Sequence, residues 1–390
     1  MSRLGIACDR AFGRHESFYP RYGWLKKAVD QTWQDPEVFA SDEGPLRLGV
    51  GRNMVKSIRY WGLATKVLAE QSAGDRRRRG QHIEPSRFGA LLFADDEDGS
   101  DAGTEVTSGP AGLDPYLEHP ASLWLLHWRL LATTCLAPVW WATFNLVTAV
   151  EVDKDSLATA VDEHLQAVST WRAPKPRTLE RDLECLLRMY APSVKRHRRE
   201  PIDDLLDSPF RELGLLSADA PQGRFRFVIG EKPTLDSLVV AYACLDYLAR
   251  HEGGRQTVTL STLAGEPGSP GRVFKLADAD VEHALERAAS QVEGLELTRP
   301  AGVRQLTVED QPQRLAASLL ALVYKRDADE LVDHAEALAG YSSDDGHHAW
   351  TARMVAEEEG AWEAGDEPSA DPIERMKRGE RRKALSREGA

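Results

Sequence analysis

The chain has 390 residues, enough for two or three domains with substantial cores, and its 42% hydrophobic and 28% charged residues describe a globular protein. A formal net charge of −13 and a pI near 5.4 exclude a protein that coats nucleic acid indiscriminately, so any such contact must come from local basic patches. The cysteines Cys8, Cys135, Cys185 and Cys244 lie far apart without a CxxC pair, which excludes a zinc knuckle or disulfide framework; they read as small buried hydrophobes in a reducing cytoplasm.

Residues 1–11 read as a leader or short strand, and with Asp9 and Arg10 so early and no apolar core segment, no signal peptide is expected. Tyr22 to Trp33 is predicted as a helix with Trp24, Leu25, Ala28 and Val29 on its apolar side. A second amphipathic helix follows. Met54, Ile58, Trp61, Thr65 and Leu68 share one side, and Arg52, Lys56, Arg59 and Lys66 the other. From Pro45 to Lys66 there are five basic residues and no acidic one. Gly49-Val50-Gly51 precedes this helix, which is expected to begin near Asn53; amides at such a start favour a phosphate, and glycines let it approach. Met54 stands where a dinucleotide fingerprint needs its third glycine, and no Walker lysine follows. The face is either a solvated helix surface or a polyanion-binding one.

Arg76 to Arg79 fall in a loop, and residues 94–112 are an acidic Gly/Ser-rich linker. Leu113 to Val150 is tryptophan-rich, and Leu130 to Val150 carries no charge, yet Pro138 interrupts it and Arg129 and Glu151 flank it. This predicts two buried elements with a break near Pro138 rather than a membrane span. Helices are expected at 157–168 and 178–190, then the basic cluster Lys195 to Glu200, a short helix ending in ELGLL, a turn at Pro221 and Gly223, and an alternating strand at 224–229. Two helices and a hairpin give the order of a winged-helix module, a device for DNA or for protein contacts. Thr234 to Arg250 is a further helix. Residues 257–310 repeat the theme: a strand at 257–260, a turn and strand in SPGRVFKL, a helix at 278–292 and two strands about Gly302. Ala316 to Leu338 is helical, and a charged tail follows.

The expected architecture is mainly α with small β-hairpins, an α+β protein: an N-terminal multi-helix domain (1–150), a winged-helix-like module (151–255), a second helix-plus-hairpin domain (256–340) and a poorly ordered tail (341–390).

The words FGRHESFYPRYGWLKK (12–27) and RLGVGRNMVKSIRYW (47–61) are long and unusual. With weaker continuations in LDPYLEHPASLWLLHW, SPFRELGLL and SPGRVFKL, they make residues 10–310 resemble the SspB-like family, whose members are encoded beside phosphoadenosine-phosphosulfate-reductase-like proteins in bacterial DNA phosphorothioation and phage-defence loci. The resemblance implies a cytoplasmic component that binds double-stranded DNA and nicks one strand. Partner proteins, namely an ATPase, a reductase-like sulfur-transfer protein and a cysteine desulfurase, would then insert sulfur. Candidate DNA contacts are Arg14, Arg21, Lys26, Lys27, Gly49, Gly51, Arg52, Asn53, Lys56, Arg59, Arg196, Arg198 and Arg199.

The family brings no agreed catalytic motif. A DNA-cutting site ordinarily needs carboxylates, with or without histidine, around a divalent metal. Glu151-Val152-Asp153-Lys154 lacks the upstream acid of a PD-(D/E)xK core, and His347-His348 lacks an HNH context. The catalytic candidates are His15 and Glu16, with Asp114, Glu118 and His119 in LDPYLEHP; Asp9 is a weaker one. Glu16, Asp114 and Glu118 would form an oxygen-rich site for Mg²⁺ or Mn²⁺. No nucleotide or organic cofactor is expected. In the structural alternative Asp114 caps a helix, His119-Pro120 ends it, and Arg14, His15 and Glu16 form a polar network. A non-catalytic DNA-binding adaptor and a winged-helix transcriptional regulator are the competing functions.

Overall fold

The computed structural model describes residues 2–70, 82–94, 112–191, 208–219, 223–251, 256–327 and 331. The arginines at 76–79, the acidic linker apart from its ends, the cluster with Arg196, Arg198 and Arg199, and the tail lie outside them. All described residues belong to one unit, Met1–Trp350.

The first segment is a helix rather than a strand. Ser2 accepts the Gly5 amide at 3.4 Å and starts α1 (Arg3–Ala7), a single turn that buries Leu4 and Ala7. After the loop 9–23 come α2 (Trp24–Gln34), α3 (Gly44–Leu48) and α4 (Arg52–Ala64). Ile58, Trp61, Thr65 and Leu68 are buried as their spacing predicts. Lys66 is the exception on the basic side. The helix ends at Ala64, and Lys66 takes a left-handed φ of 63° that turns its side chain inward. There it donates to the Arg129 and Ala132 carbonyls at 2.6 and 2.7 Å. A hairpin of β1 (Leu68–Glu70) and β2 (Ile83–Pro85) leads to α5 (Arg87–Phe93).

The uncharged run divides as its proline demands. α6 (Pro120–Leu131) and α7 (Pro138–Asn145) each begin on a proline, whose missing N–H costs nothing in a first turn. Trp124, Trp128, Trp140 and Trp141 are buried along the pair. Among the described residues no helix is long and apolar enough to cross a membrane.

Two small antiparallel sheets follow with matching connectivity. The first comprises β3 (Glu151–Val152), α8 (Lys154–Gln166), α9 (Pro176–Tyr190), β4 (Leu216–Asp219) and β5 (Arg224–Phe227), in strand order β3-β5-β4. The second follows α10 (Ser237–His251): β6 (Thr257–Thr259), α11 (Leu260–Gly265), α12 (Pro270–Phe274), α13 (Asp278–Ala289), β7 (Leu295–Thr298) and β8 (Gln305–Val308), in order β6-β8-β7. α14 (Pro312–Tyr324) closes against α10. The chain is thus mixed helix and strand. SPGRVFKL, expected as turn and strand, is instead α12: the Ser269 hydroxyl accepts the Arg272 amide, Pro270 opens the turn, and Lys275 ends it at a left-handed φ of 55°.

His127 joins three of these elements. Its ring meets the Tyr190 hydroxyl of α9 at 2.8 Å and the Val273 carbonyl of α12 at 3.0 Å, from the middle of α6. Lys275 donates to the Phe144 carbonyl at 2.6 Å and lies 4.5 Å from the centre of the Phe227 ring.

Candidate nucleic-acid interface

The loop between α1 and α2 is tightly wound. Gly13, Glu16, Ser17 and Gly23 all have left-handed φ, at 68°, 50°, 67° and 74°. Holding Glu16 and Ser17 there costs backbone energy, so the surroundings must over-determine the conformation. They do so from two sides. On α9, the Asp182 carboxylate accepts the Gly13 amide at 2.9 Å and lies 2.7 Å from His15 Nε2. On α4, Trp61 Nε1 donates to the Phe18 carbonyl at 2.8 Å, and the Ser57 hydroxyl donates to the same oxygen at 3.3 Å.

His15 is buried among Tyr60, Trp61 and Trp140. Burial pulls its pKa down, but Cys185 and the Asp182 carboxylate outweigh this and raise it to about 10. The Ser17 amide opposes a second ring proton, because it donates to Nδ1 at 3.0 Å. Donation from Nε2–H to Asp182 and acceptance of the Ser17 amide at Nδ1 satisfy both hydrogen bonds, so the geometry favours the neutral ring over the cation that Cys185 and Asp182 favour electrostatically.

Cations from several elements surround this loop. Lys56 on α4 is exposed and lies 3.4 Å from Glu16 Oε1. Arg181 on α9 donates to the Ser17 hydroxyl at 3.1 Å. The Arg188 and Arg211 guanidinium groups lie 5.5 and 5.6 Å from the centre of the Tyr19 ring. Arg10 donates to the Arg172 carbonyl at 3.0 Å. Arg14 is half-buried within the loop, and Arg21 is buried against Trp24 at 5.5 Å. Arg59 is half-buried, its pKa lowered by burial and by Arg14 and partly restored by Glu70.

The start of α4 is open. Gly49 ends α3 with a left-handed φ of 63°, and Gly51 precedes Arg52 with no side-chain cap. Gly49, Gly51, Arg52 and Asn53 are exposed, and the helix therefore begins one residue before the position expected. Arg52 lies 3.9 Å from the exposed Asp42. Lys26 pairs with Asp30, and Lys27 donates to the Leu48 carbonyl at 3.0 Å.

The acidic candidates fall in two separate places. Asp114 is buried and occupied: its oxygens accept the Glu118 and His119 amides at 2.8 and 2.9 Å and the Ser122 hydroxyl. The segment is not helical; His119 is the N-cap of α6, so His119-Pro120 begins a helix rather than ending one. Glu118 and His119 are exposed, with the His119 ring 5.0 Å from Tyr324 on α14. His15 and Glu16 contact α4 and α9 instead. Among the described residues no three His, Cys, Asp or Glu side chains are grouped to hold a metal ion. Glu16 faces a lysine and both Asp114 oxygens face N–H or O–H donors, so Glu16, Asp114 and Glu118 do not fit a shared Mg²⁺ or Mn²⁺.

The residues that sequence reasoning missed are those of α9. Arg177, Arg181 and Arg188 recur at helical spacing on one side, a basic stripe legible from periodicity alone. Asp182 had no such signal, because only the fold brings it to His15.

The model of a family described as proteins of unknown function, DUF4007, matches residues 12–324. Two solved structures are similar over 92% of this chain at 34% identity: an SspB crystal structure, 97% of which is covered with a TM-score of 0.73, and a magnesium ion-bound SspB crystal structure, covered in full with a TM-score of 0.75. No curated protein sequence matches the chain. The signature loop, the helices that grip it and the two repeated sheets are thus features of a member of the DUF4007 family, built like SspB.

Proposed function

We propose that the protein is the double-stranded-DNA-binding component of a bacterial DNA phosphorothioation system and nicks one strand so that partner proteins can insert sulfur. The observation that carries the DNA-binding reading is the convergence of Lys56, Arg181, Arg188 and Arg211 on the loop 9–23, in a chain whose net charge is −13. Polyanion binding by a protein this acidic needs such a local concentration of cations. The open start of α4 offers the Arg52 and Asn53 amides to one phosphate. The partners are those the family resemblance implies: an ATPase, a reductase-like sulfur-transfer protein and a cysteine desulfurase.

The strand orders β3-β5-β4 and β6-β8-β7 support reading 151–255 and 256–340 as winged-helix-like modules. α9 then takes the place of the helix that such modules lay on DNA, with Arg177, Arg181 and Arg188 outward. α13, the corresponding helix of the second module, exposes Asp278 and Glu286 and suits DNA poorly.

Of the catalytic candidates, Glu118 and His119 are accessible to a DNA strand, whereas His15 is buried and Glu16 faces Lys56. A second reading, a DNA-binding adaptor without chemistry of its own, is favoured by the hydrogen bonds that occupy Asp114. The deciding experiment is conversion of supercoiled plasmid to open circles with Mg²⁺ or Mn²⁺, comparing wild type with folded Glu118→Ala and His119→Ala. Nicking by wild type that is lost in either variant supports the nickase and its site. Binding without nicking, even with the partner proteins added, leaves the adaptor.

A further inference from the structure

Two of the buried cysteines, remote in sequence, meet in the fold. Cys8 follows α1, Cys135 precedes α7, and the two form an isolated parallel bridge. The Cys135 amide donates to the Ala7 carbonyl at 2.8 Å, and the Asp9 amide to the Cys135 carbonyl at 3.0 Å. These two bonds bracket Cys8 and set it directly opposite Cys135. Neighbouring strands run roughly 4.8 Å apart, which falls within the roughly 4.4–6.8 Å separation of α-carbons that a disulfide spans. The two thiols act on one another electrostatically.

The surroundings favour chemistry at Cys135. Its sulfur accepts the Ala137 amide at 3.3 Å, and the buried Lys66 amine is close enough to act on it electrostatically. Burial and Asp9 push this thiol up, and its S–H donates to the Leu130 carbonyl at 3.2 Å, but the Cys8 thiol, Lys66 and the Ala137 amide together hold it below the ordinary thiol value. Cys244 has only burial acting on it, which pushes its thiol well up.

We propose that Cys8 and Cys135 form a reversible intramolecular disulfide in the folded chain, with hydrogen peroxide as the oxidant. The Cys135 thiolate attacks one peroxide oxygen, the O–O bond breaks, and the departing hydroxide takes up a proton and leaves as water. The Cys8 sulfur then attacks the sulfenic sulfur of Cys135, the S–O bond breaks, and a second water leaves with the Cys8 proton. Each sulfur gives up one electron, and the peroxide is reduced by two. The oxidant is barely larger than water, which suits a pair this deeply placed. The bond would tie the residue before Asp9, where the signature loop begins, to the turn between α6 and α7.

The test treats the native, full-length chain with hydrogen peroxide, blocks remaining thiols after denaturation, and maps the digest by mass spectrometry without reduction. The expected result is a Cys8–Cys135 cross-linked peptide, an intact mass lower by two hydrogens, a higher Tm, and return of all three to the starting values with dithiothreitol. Cys8→Ser is expected to abolish the cross-link. A cross-link that forms only in denaturant, a bridge to Cys185 or Cys244, or blocked Cys8 and Cys135 thiols after treatment that oxidises other residues would each overturn the proposal. The wild-type map decides the matter even if the serine variant folds poorly.

Discussion

Asp182 is the residue on which the geometry of the interface turns, because it holds both the Gly13 amide and His15 and so couples α9 to the loop. Asp182→Asn keeps the shape but removes the charge; hydrogen bonds to charged groups contribute about 1.5–3 kcal/mol, and a loss of that order should appear as a lower Tm by calorimetry. Lys66 has a different task, supplying protons to two carbonyls in the turn after α6. Lys66→Met would leave both carbonyls buried without it, at a cost of roughly 1–3 kcal/mol each, which denaturant titration would detect. His127 makes the sharpest pH prediction. Burial, reinforced by Lys232 and Lys275 against the pull of the Val273 carbonyl, pushes its pKa from 6.5 down to about 3. The unfolded chain therefore binds the extra proton between those two values, so stability present above pH 6.5 is lost as pH falls toward 3. Thermal unfolding of wild type and His127→Gln across this range should give a steeper decline for wild type; equal slopes would contradict the assignment.

At the scale of elements, the start of α6 and the packing of α5 can each be broken by one substitution. Asp114→Ala removes a charged acceptor for two amides and a hydroxyl, and losing hydrogen bonds to a charged group costs about 1.5–3 kcal/mol. Hydrogen exchange should then show faster exchange at Glu118 and His119 with the core unchanged. Gly89 on α5 lies so close to the residue before β1 that a Cβ would sit 1.9 Å from the Val67 carbonyl oxygen. Gly89→Ala must move backbone against backbone, a strain of about 1–3 kcal/mol or more, readable as a shift in denaturation midpoint. The long helices were legible in the sequence because their apolar spacing is also their packing: α2 buries Trp24, Leu25, Ala28 and Val29, and α4 buries Ile58 and Trp61 with Met54 half-buried. The short ones were not. α1 and α12 are single turns set by a capping serine, too brief to show a period, and Val273-Phe274 reads as strand unless Ser269-Pro270 is recognised as a helix start. Lys66 shows the limit from the other side, since periodicity continued past Ala64 while the backbone did not. The basic face of α4 was legible, but its meeting with α9 through Asp182, like the meeting of Cys8 with Cys135, exists only in three dimensions.

Taken whole, the molecule is an acidic protein with cations gathered around the loop 9–23. On the proposed reading, such a distribution would direct a polyanion to that loop. Each cation that neutralises a phosphate releases counterions, so affinity should fall with salt in proportion to the number of contacts. The decisive measurement is the salt dependence of duplex binding for wild type, Lys56→Ala, Arg181→Ala and the double variant, with Arg287→Ala on exposed α13 as the control. Each single change at the loop should weaken binding to any duplex sequence and lower the salt slope by about one unit, the double by about two, and the control should leave both unchanged. Slopes that match wild type in every variant would contradict the account and return the cations around the loop to an ordinary solvated surface.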